Sequence, residues 1–316
     1  MNDDSFSRVG VFLYAKARFY VRMKAVYIMS LRSKAGMKGV LPSIRRKRRI
    51  PTLNITQIKY VAATLTVCLL FHTLFAPMVD VPEWFIAVGR PALPLFLFAA
   101  AEGYVHTRSR PAYLKRLLLC SILMTAVTFA VQELFPNRYE LSLMGNAFGT
   151  LFISVLYMVG WDRLNEGLAL KERSKIRDAL FVFLLPVAAI MPLAVVGILA
   201  DTDINHAVLQ VLTFLALCVP NFFVISHGVL YILLGLLLYV FHGKRVVQAG
   251  IVILYGLWFQ YIYGGGEWCI ALAAVPVWLY NGERGRGRKS FFYAFYPVAV
   301  IVLYILSWLF DRFIVM

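Results

Sequence analysis

Residues 89–116 read GRPALPLFLFAAAEGYVHTRSRPAYLKR, an apolar and aromatic run of spanning length that nonetheless carries Arg90, Glu102 and His106. A charged group in hydrocarbon costs roughly 3 kcal/mol or more even on lenient insertion scales, so such residues mark function by default. Lys59 and His72 stand in the apolar run just upstream. Histidine is a weak base that can take a proton from an attacking hydroxyl or amine, and a neighbouring cation favours its neutral, basic form. A deep arginine can hold a carboxylate, a phosphate or a developing oxyanion. Glu102 and His106 are four apart, hence on one helix face.

Helical rise of about 1.5 Å per residue sets the heights. If the two runs are antiparallel neighbours, His72 and Arg90 fall at one level, and Lys59, Glu102 and His106 at another nearer the chain's basic loops. Plainer explanations exist for some of these. Lys59 can snorkel to headgroups, and Glu102 and His106 can simply satisfy each other. Arg90 lies too deep to snorkel easily. Pro91 and Pro94 beside it remove backbone donors and favour a kink, which is common where a cavity opens but also occurs without function.

The elements that must position these groups follow from composition. The chain has 316 residues, 61% of them apolar, with a mean hydropathy of +0.74. That balance excludes a water-soluble domain. The apolar runs are long and do not alternate with period two, so an all-α, polytopic integral membrane helix bundle is expected rather than a barrel. Spans are predicted near 57–76, 83–107, 117–135, 143–160, 179–200, 229–241, 246–263, 268–280 and 291–310, with 204–222 a tenth span or a re-entrant segment broken by Pro220. This gives about nine to ten transmembrane helices, with boundaries good to a few residues.

The net charge is +16, but its distribution argues against nucleic-acid binding. If the N-terminus is cytoplasmic and the chain crosses an odd number of times between 204 and 241, then 28 of the 32 Lys and Arg residues fall on the inner side, as the positive-inside rule expects. Residues 1–54 form a basic segment ending in RRKRR at 45–49, read as an interfacial helix over 9–31 on an anionic leaflet or as a disordered basic tail. Residues 55–316 form the membrane domain. No cleavable signal peptide is predicted at the start. The four cysteines, Cys68, Cys120, Cys218 and Cys269, lie within apolar runs, so neither a disulfide framework nor a metal site is expected.

The segment 89–117 resembles the TraX family, through Gly89, Arg90, Pro94, Phe96, Glu102, Gly103, His106, Thr107, Tyr113, Arg116 and Leu117. IKYVAATLTVCLLFH is similar to the family's first span, which opens on a lysine and closes on a histidine, here Lys59 and His72. YNGERGRGRKSFFYAFYPVAVIVLY resembles the family's Tyr-Asn-Gly loop and Phe-Tyr-Pro span start, through Tyr280, Asn281, Gly282, Gly285, Phe295, Tyr296 and Pro297.

The resemblance implies a multi-pass membrane acyltransferase of a bacterial inner or plasma membrane, transferring acetyl from acetyl-CoA to a peptide or glycan acceptor. The family's named member acetylates the N-terminus of conjugative pilin. On this basis His72, Arg90, Glu102 and His106 are expected to be catalytic. Lys59, Arg108, Arg110, Arg116 and Asn281 are expected to bind acetyl-CoA, with membrane lipids and a pilin-like peptide or a glycan as partners. Two positions depart from the family: Phe71 stands where an aspartate usually precedes His72, and Ala299 where a histidine usually follows Tyr-Pro. They leave open a divergent, non-catalytic member serving as a scaffold or small-solute transporter.

Overall fold

A computed structural model describes residues 52–138, 143, 145–202, 204–223, 225, 228–286 and 289–313. The expected interfacial helix and the RRKRR cluster lie outside the described residues. The rest is helical: α1 (Ile55–Phe75), α2 (Trp84–Gly89), α3 (Ala92–His106), α4 (Arg110–Leu134), α5 (Ala147–Leu170), α6 (Arg173–Ala188), α7 (Met191–Ala200), α8 (His206–Leu217), α9 (Val229–Val240), α10 (Arg245–Tyr263), a 3-10 turn (Glu267–Ala273), α11 (Ala274–Leu279) and α12 (Lys289–Phe313). No strand occurs among the described residues, only the isolated bridges Leu53–Tyr280 and Asn146–Ile225. Six helices or helix pairs are long and apolar enough to cross a membrane: 55–75, 84–106, 110–134, 173–200, 245–263 and 291–313.

Side chains that satisfy orphan backbone donors set several helix starts. Asn54 and Gln57 form a reciprocal capping box at α1, each side chain accepting from the other's backbone N–H at 2.9 Å. Ser109 caps α4 ahead of Pro111. Asn146 caps α5, accepting from Gly149, while its amide donates to the Ser121 carbonyl at 2.7 Å and to the Thr125 hydroxyl at 3.1 Å. That cap therefore also ties α5 to α4.

The single span expected at 83–107 is interrupted at Arg90 and Pro91. Both residues keep helical angles, but Pro94 has no N–H to offer the carbonyl four residues back, that of Arg90. The span expected at 179–200 breaks at Ala189–Ile190, where Pro192 likewise has no N–H to offer the carbonyl four residues back, that of Ala188. The span expected at 268–280 begins as a 3-10 turn.

Helices α3, α5 and α9 form the centre. Leu95, Leu97, Phe98, Ile153, Met158, Ile232 and Leu234 are almost wholly buried there. Small residues allow close approach, as is usual between helices in lipid. A Cβ on Gly89 would lie 2.6 Å from Leu69 Cβ and 2.9 Å from its backbone; one on Gly235 would lie 2.9 Å from Ser154 Oγ.

The course of the chain defines two ends. One gathers the starts of α1, α4, α6 and α10 with the Tyr280–Arg286 loop; Arg108, Arg110, Arg163, Lys171, Arg173, Lys244 and Arg284 lie there, and it is called the basic end. The bridge from Ile225 to Asn146 sets the segment after α8 at mid-bundle, because Asn146 is bonded to Ser121 and Thr125 in the middle of α4 and Ile225 is buried. Helix α8 starts at the end where α7 finished and packs Phe214 on Phe129 of α4. The chain crosses the bundle once between 204 and 241, by α8 and α9 in sequence, each of 12 residues or about 18 Å.

Candidate functional site

The basic end of α3 holds a buried carboxylate with partners from distant parts of the chain. Glu102 is 2% exposed. Arg245, the first residue of α10, donates from Nη1 to its Oε1 at 2.6 Å and to Gln248 Oε1 at 2.8 Å. The guanidinium lies 4.6 Å from the Tyr280 ring centroid and 5.5 Å from that of Phe98. Gln248 in turn donates to the Leu238 carbonyl at 2.6 Å. Charge-assisted bonds of this kind are short and directional, so α3, α9, α10 and the Tyr280 loop are pinned at one point. Burial first, and then the Glu102 charge, push the Tyr280 phenol up to about 12, so it stays a neutral donor beside the carboxylate.

Two histidines flank Glu102. His106 Nδ1 is 2.8 Å from the Glu102 main-chain oxygen and 3.9 Å from its Oε2. A carbonyl only accepts, so Nδ1 carries the proton and Nε2 is the free acceptor of the neutral ring. The imidazole is 57% exposed. His242, in the turn between α9 and α10, places Nε2 3.5 Å from Glu102 Oε1. The two rings stand edge to face, 6.2 Å apart.

The other residues expected at this end are distributed around the cluster. Arg110 is bonded to Asp162 Oδ2 at 2.7 Å and lies over the Tyr104 ring. Asp162 also accepts from Tyr104 at 3.1 Å and Tyr239 at 2.5 Å, which joins α3, α4, α5 and α9. Arg108 and Arg116 are exposed. Lys59 lies over the Phe292 ring. Asn281 closes the loop: its N–H donates to Leu53 and its side chain accepts from the Glu283 N–H at 2.8 Å.

A second polar level lies twelve residues from Glu102 along the same span, about 18 Å toward the opposite end. Arg90 pairs with Glu267 Oε1 at 2.8 Å, with side chains 14% and 23% exposed. Gly264, Gly265 and Gly266, all with positive φ, make the turn that presents Glu267. His72 is half-buried and lies within one helical turn of Leu69, where Gly89 crosses α1. That crossing brings His72 and Arg90 to one level, but among the described residues no ion pair or hydrogen bond joins them. Phe71 is occupied otherwise: it stacks on Phe75 at 4.7 Å and lies 5.4 Å from Phe85.

Sequence reasoning brought Glu102 and His106 together but missed Arg245, His242 and Glu267. The only signal for the first two was the HGKR turn itself, a histidine and an arginine three apart directly after an apolar helix. No group of three or more potential metal ligands occurs among the described residues.

No curated protein and no solved structure matches the chain. Residues 54–307 match the family model described as TraX protein, a stretch that contains both polar levels and every element from α1 into α12. The chain belongs to the TraX family.

Proposed function

We propose that the protein is a membrane-embedded acyltransferase that moves an acetyl group from acetyl-CoA to a peptide or glycan acceptor. The observation that carries this reading is His106: Nδ1 is committed to the Glu102 carbonyl, and the ring is open to solvent at the basic end. A neutral imidazole with one nitrogen fixed as donor and the other bare is a general base of defined tautomer. In this reading Nε2 takes the proton as the acceptor's amine or hydroxyl attacks the thioester carbonyl. The carbon–sulfur bond breaks, and CoA leaves as thiolate and is protonated.

The basic end faces the cytoplasm in this reading, where acetyl-CoA is found, since Arg108, Arg110, Arg163, Lys171, Arg173, Lys244 and Arg284 gather there. Arg108, Arg116 and Lys59, with Arg110 behind them, supply positive charge for the CoA phosphates. Arg90 and His72 serve the acceptor from the opposite level, with Arg90 released from Glu267 to hold an anionic or carbonyl group. The membrane is a bacterial inner or plasma membrane, as for the family's conjugative role.

A second reading, a non-catalytic scaffold, is favoured by the aromatic packing of Phe71, since the carboxylate that would orient His72 is replaced by a hydrophobic contact. Thiol release from acetyl-CoA by the purified protein in nanodiscs separates the two. The native protein is expected to release CoA, and His106→Gln to lower the rate by about 100-fold or more. A native rate equal to that of empty nanodiscs, with several peptide and glycan acceptors supplied, supports the scaffold.

A further inference from the structure

Acyl transfer from a thioester needs two proton movements, one away from the nucleophile and one toward the departing sulfur. His106 is placed for the first. We propose that His242 performs the second, as the general acid that protonates the leaving thiolate, working across Glu102 from His106. This rests on the acyltransferase reading above.

The backbone fixes His242 independently of any ligand. The turn from α9 to α10 is closed by His242 N–H to the Tyr239 carbonyl at 2.9 Å and Lys244 N–H to the Phe241 carbonyl at 3.1 Å. Gly243 takes φ +83°, a conformation that other residues adopt only with strain. The turn delivers two side chains to one carboxylate oxygen: Arg245 at 2.6 Å and His242 Nε2 at 3.5 Å. Nε2 makes no hydrogen bond at that separation; it is buried facing an oxygen that only accepts, so it is the nitrogen that keeps its proton. Nδ1 is then the nitrogen that exchanges its proton.

The two rings are held in complementary senses. His106 keeps Nδ1 inward against a carbonyl and offers Nε2; His242 keeps Nε2 inward against the carboxylate and offers Nδ1. They are 6.2 Å apart, edge to face, so the rings nearly touch and the reacting carbonyl carbon, its nucleophile and its sulfur lie across their two outward nitrogens, on the solvent side of the pair. His242 is 33% exposed, so its proton is replenished from water. The charged and titratable groups around it are Glu102 and His106 from α3, Lys244 and Arg245 on its own turn, and Tyr280 from the facing loop.

The step balances. The acceptor N–H or O–H proton goes to His106 Nε2, the new bond to the acetyl carbon forms, and the carbon–sulfur bond breaks with its electron pair on sulfur. The Nδ1 proton of the His242 imidazolium then goes to that sulfur. Water takes the proton from His106 and returns one to His242, leaving acetylated acceptor and free CoA thiol.

The test uses full-length protein in nanodiscs, with two acetyl donors: acetyl-CoA, whose thiolate is the more basic leaving group, and p-nitrophenyl acetate, whose less basic phenolate gains little from a proton. His242→Gln is expected to lower kcat with acetyl-CoA by about 30-fold or more while KM changes less than about three-fold. With p-nitrophenyl acetate its loss should be at least about ten-fold smaller. His106→Gln should lower both rates alike. Equal losses of His242→Gln on both donors, with acetyl-CoA affinity and elution volume intact, assign His242 to structure and overturn the proposal. So does a His242→Gln rate with acetyl-CoA within two-fold of native. Absence of CoA release by the native protein overturns the acyltransferase reading and this role together, whereas native turnover untouched by His242→Gln removes only the role.

Discussion

Arg245 and Glu102 are 143 residues apart in the chain and 2.6 Å apart in the fold. The carboxylate is 2% exposed and the guanidinium side chain 20%. Removing one partner of such a pair leaves a buried charge and typically costs about 3–5 kcal/mol, whereas replacing both is far milder. Arg245→Met should therefore lower the thermal stability of the detergent-solubilised protein sharply. The double variant Arg245→Met/Glu102→Met should recover most of the loss, as read by a double-mutant cycle. Additive losses would mean that the two residues do not stabilise the fold through each other.

Glycine contacts make a contrast that needs no activity assay. A methyl group at Gly89 would meet the Leu69 backbone at 2.9 Å, whereas nothing lies within 4 Å of one at Gly250. Gly89→Ala should destabilise by about 1–3 kcal/mol as the two helices are forced apart. Gly250→Ala, within α10, should be neutral or stabilising by up to about 1 kcal/mol. Equal melting temperatures for the two variants would show that α1 and α2 do not cross as closely as described.

Phe71 occupies the position of a family aspartate, but packs against Phe75 and Phe85. Phe71→Asp places a carboxylate among aromatic rings without a partner. Stability is expected to fall by about 2–3 kcal/mol, with no gain in CoA release. A gain in rate at unchanged stability would show that the residue blocks, rather than replaces, an orienting carboxylate.

The crossing shared by α8 and α9 predicts a labelling pattern. In a cysteine-free background, a single cysteine at Thr202 should react from the same side as one at Glu83. A cysteine at Lys244 should react only from the other side. The measurement is blocking by a membrane-impermeant maleimide in intact cells and in inverted vesicles. Labelling of Thr202 and Lys244 from one side would show that α8 and α9 do not make a single crossing.

Helix type was legible because long apolar runs admit little else in lipid, and the pairing of Glu102 with His106 was legible because helix geometry fixes i, i+4 neighbours locally. The kink beside Arg90 was legible from Pro91 and Pro94, whereas the break at Ala189–Ile190 was not anticipated. Partners from other helices were not legible at all. Arg245 and His242 looked like ordinary loop charges, and Glu267 like an ordinary loop acid. Nothing in the local sequence records that the α9–α10 turn lands on α3, or that a three-glycine turn brings Glu267 to Arg90. The expectation that His72 and Arg90 share a height rested on antiparallel geometry, and the Gly89–Leu69 crossing supplies that geometry. A shared height does not by itself produce contact.

The brevity of α9 has an electrical consequence. Its 12 residues cover about 18 Å, against a hydrocarbon layer of about 30 Å. The rest of the crossing falls to α8 and to the irregular stretch between the two helices, where Asn221 is buried, and non-helical backbone at that depth places polar groups along the bundle axis. A transmembrane voltage falls across low-dielectric material, so the field steepens where that material is thinnest. A charge shifted between the Glu102 and Arg90 levels would then sense a larger share of the potential than the same displacement at the bundle's rim. At 100 mV the whole drop is worth about 2.3 kcal/mol per unit charge, enough to bias which of the two levels an ionised acceptor occupies.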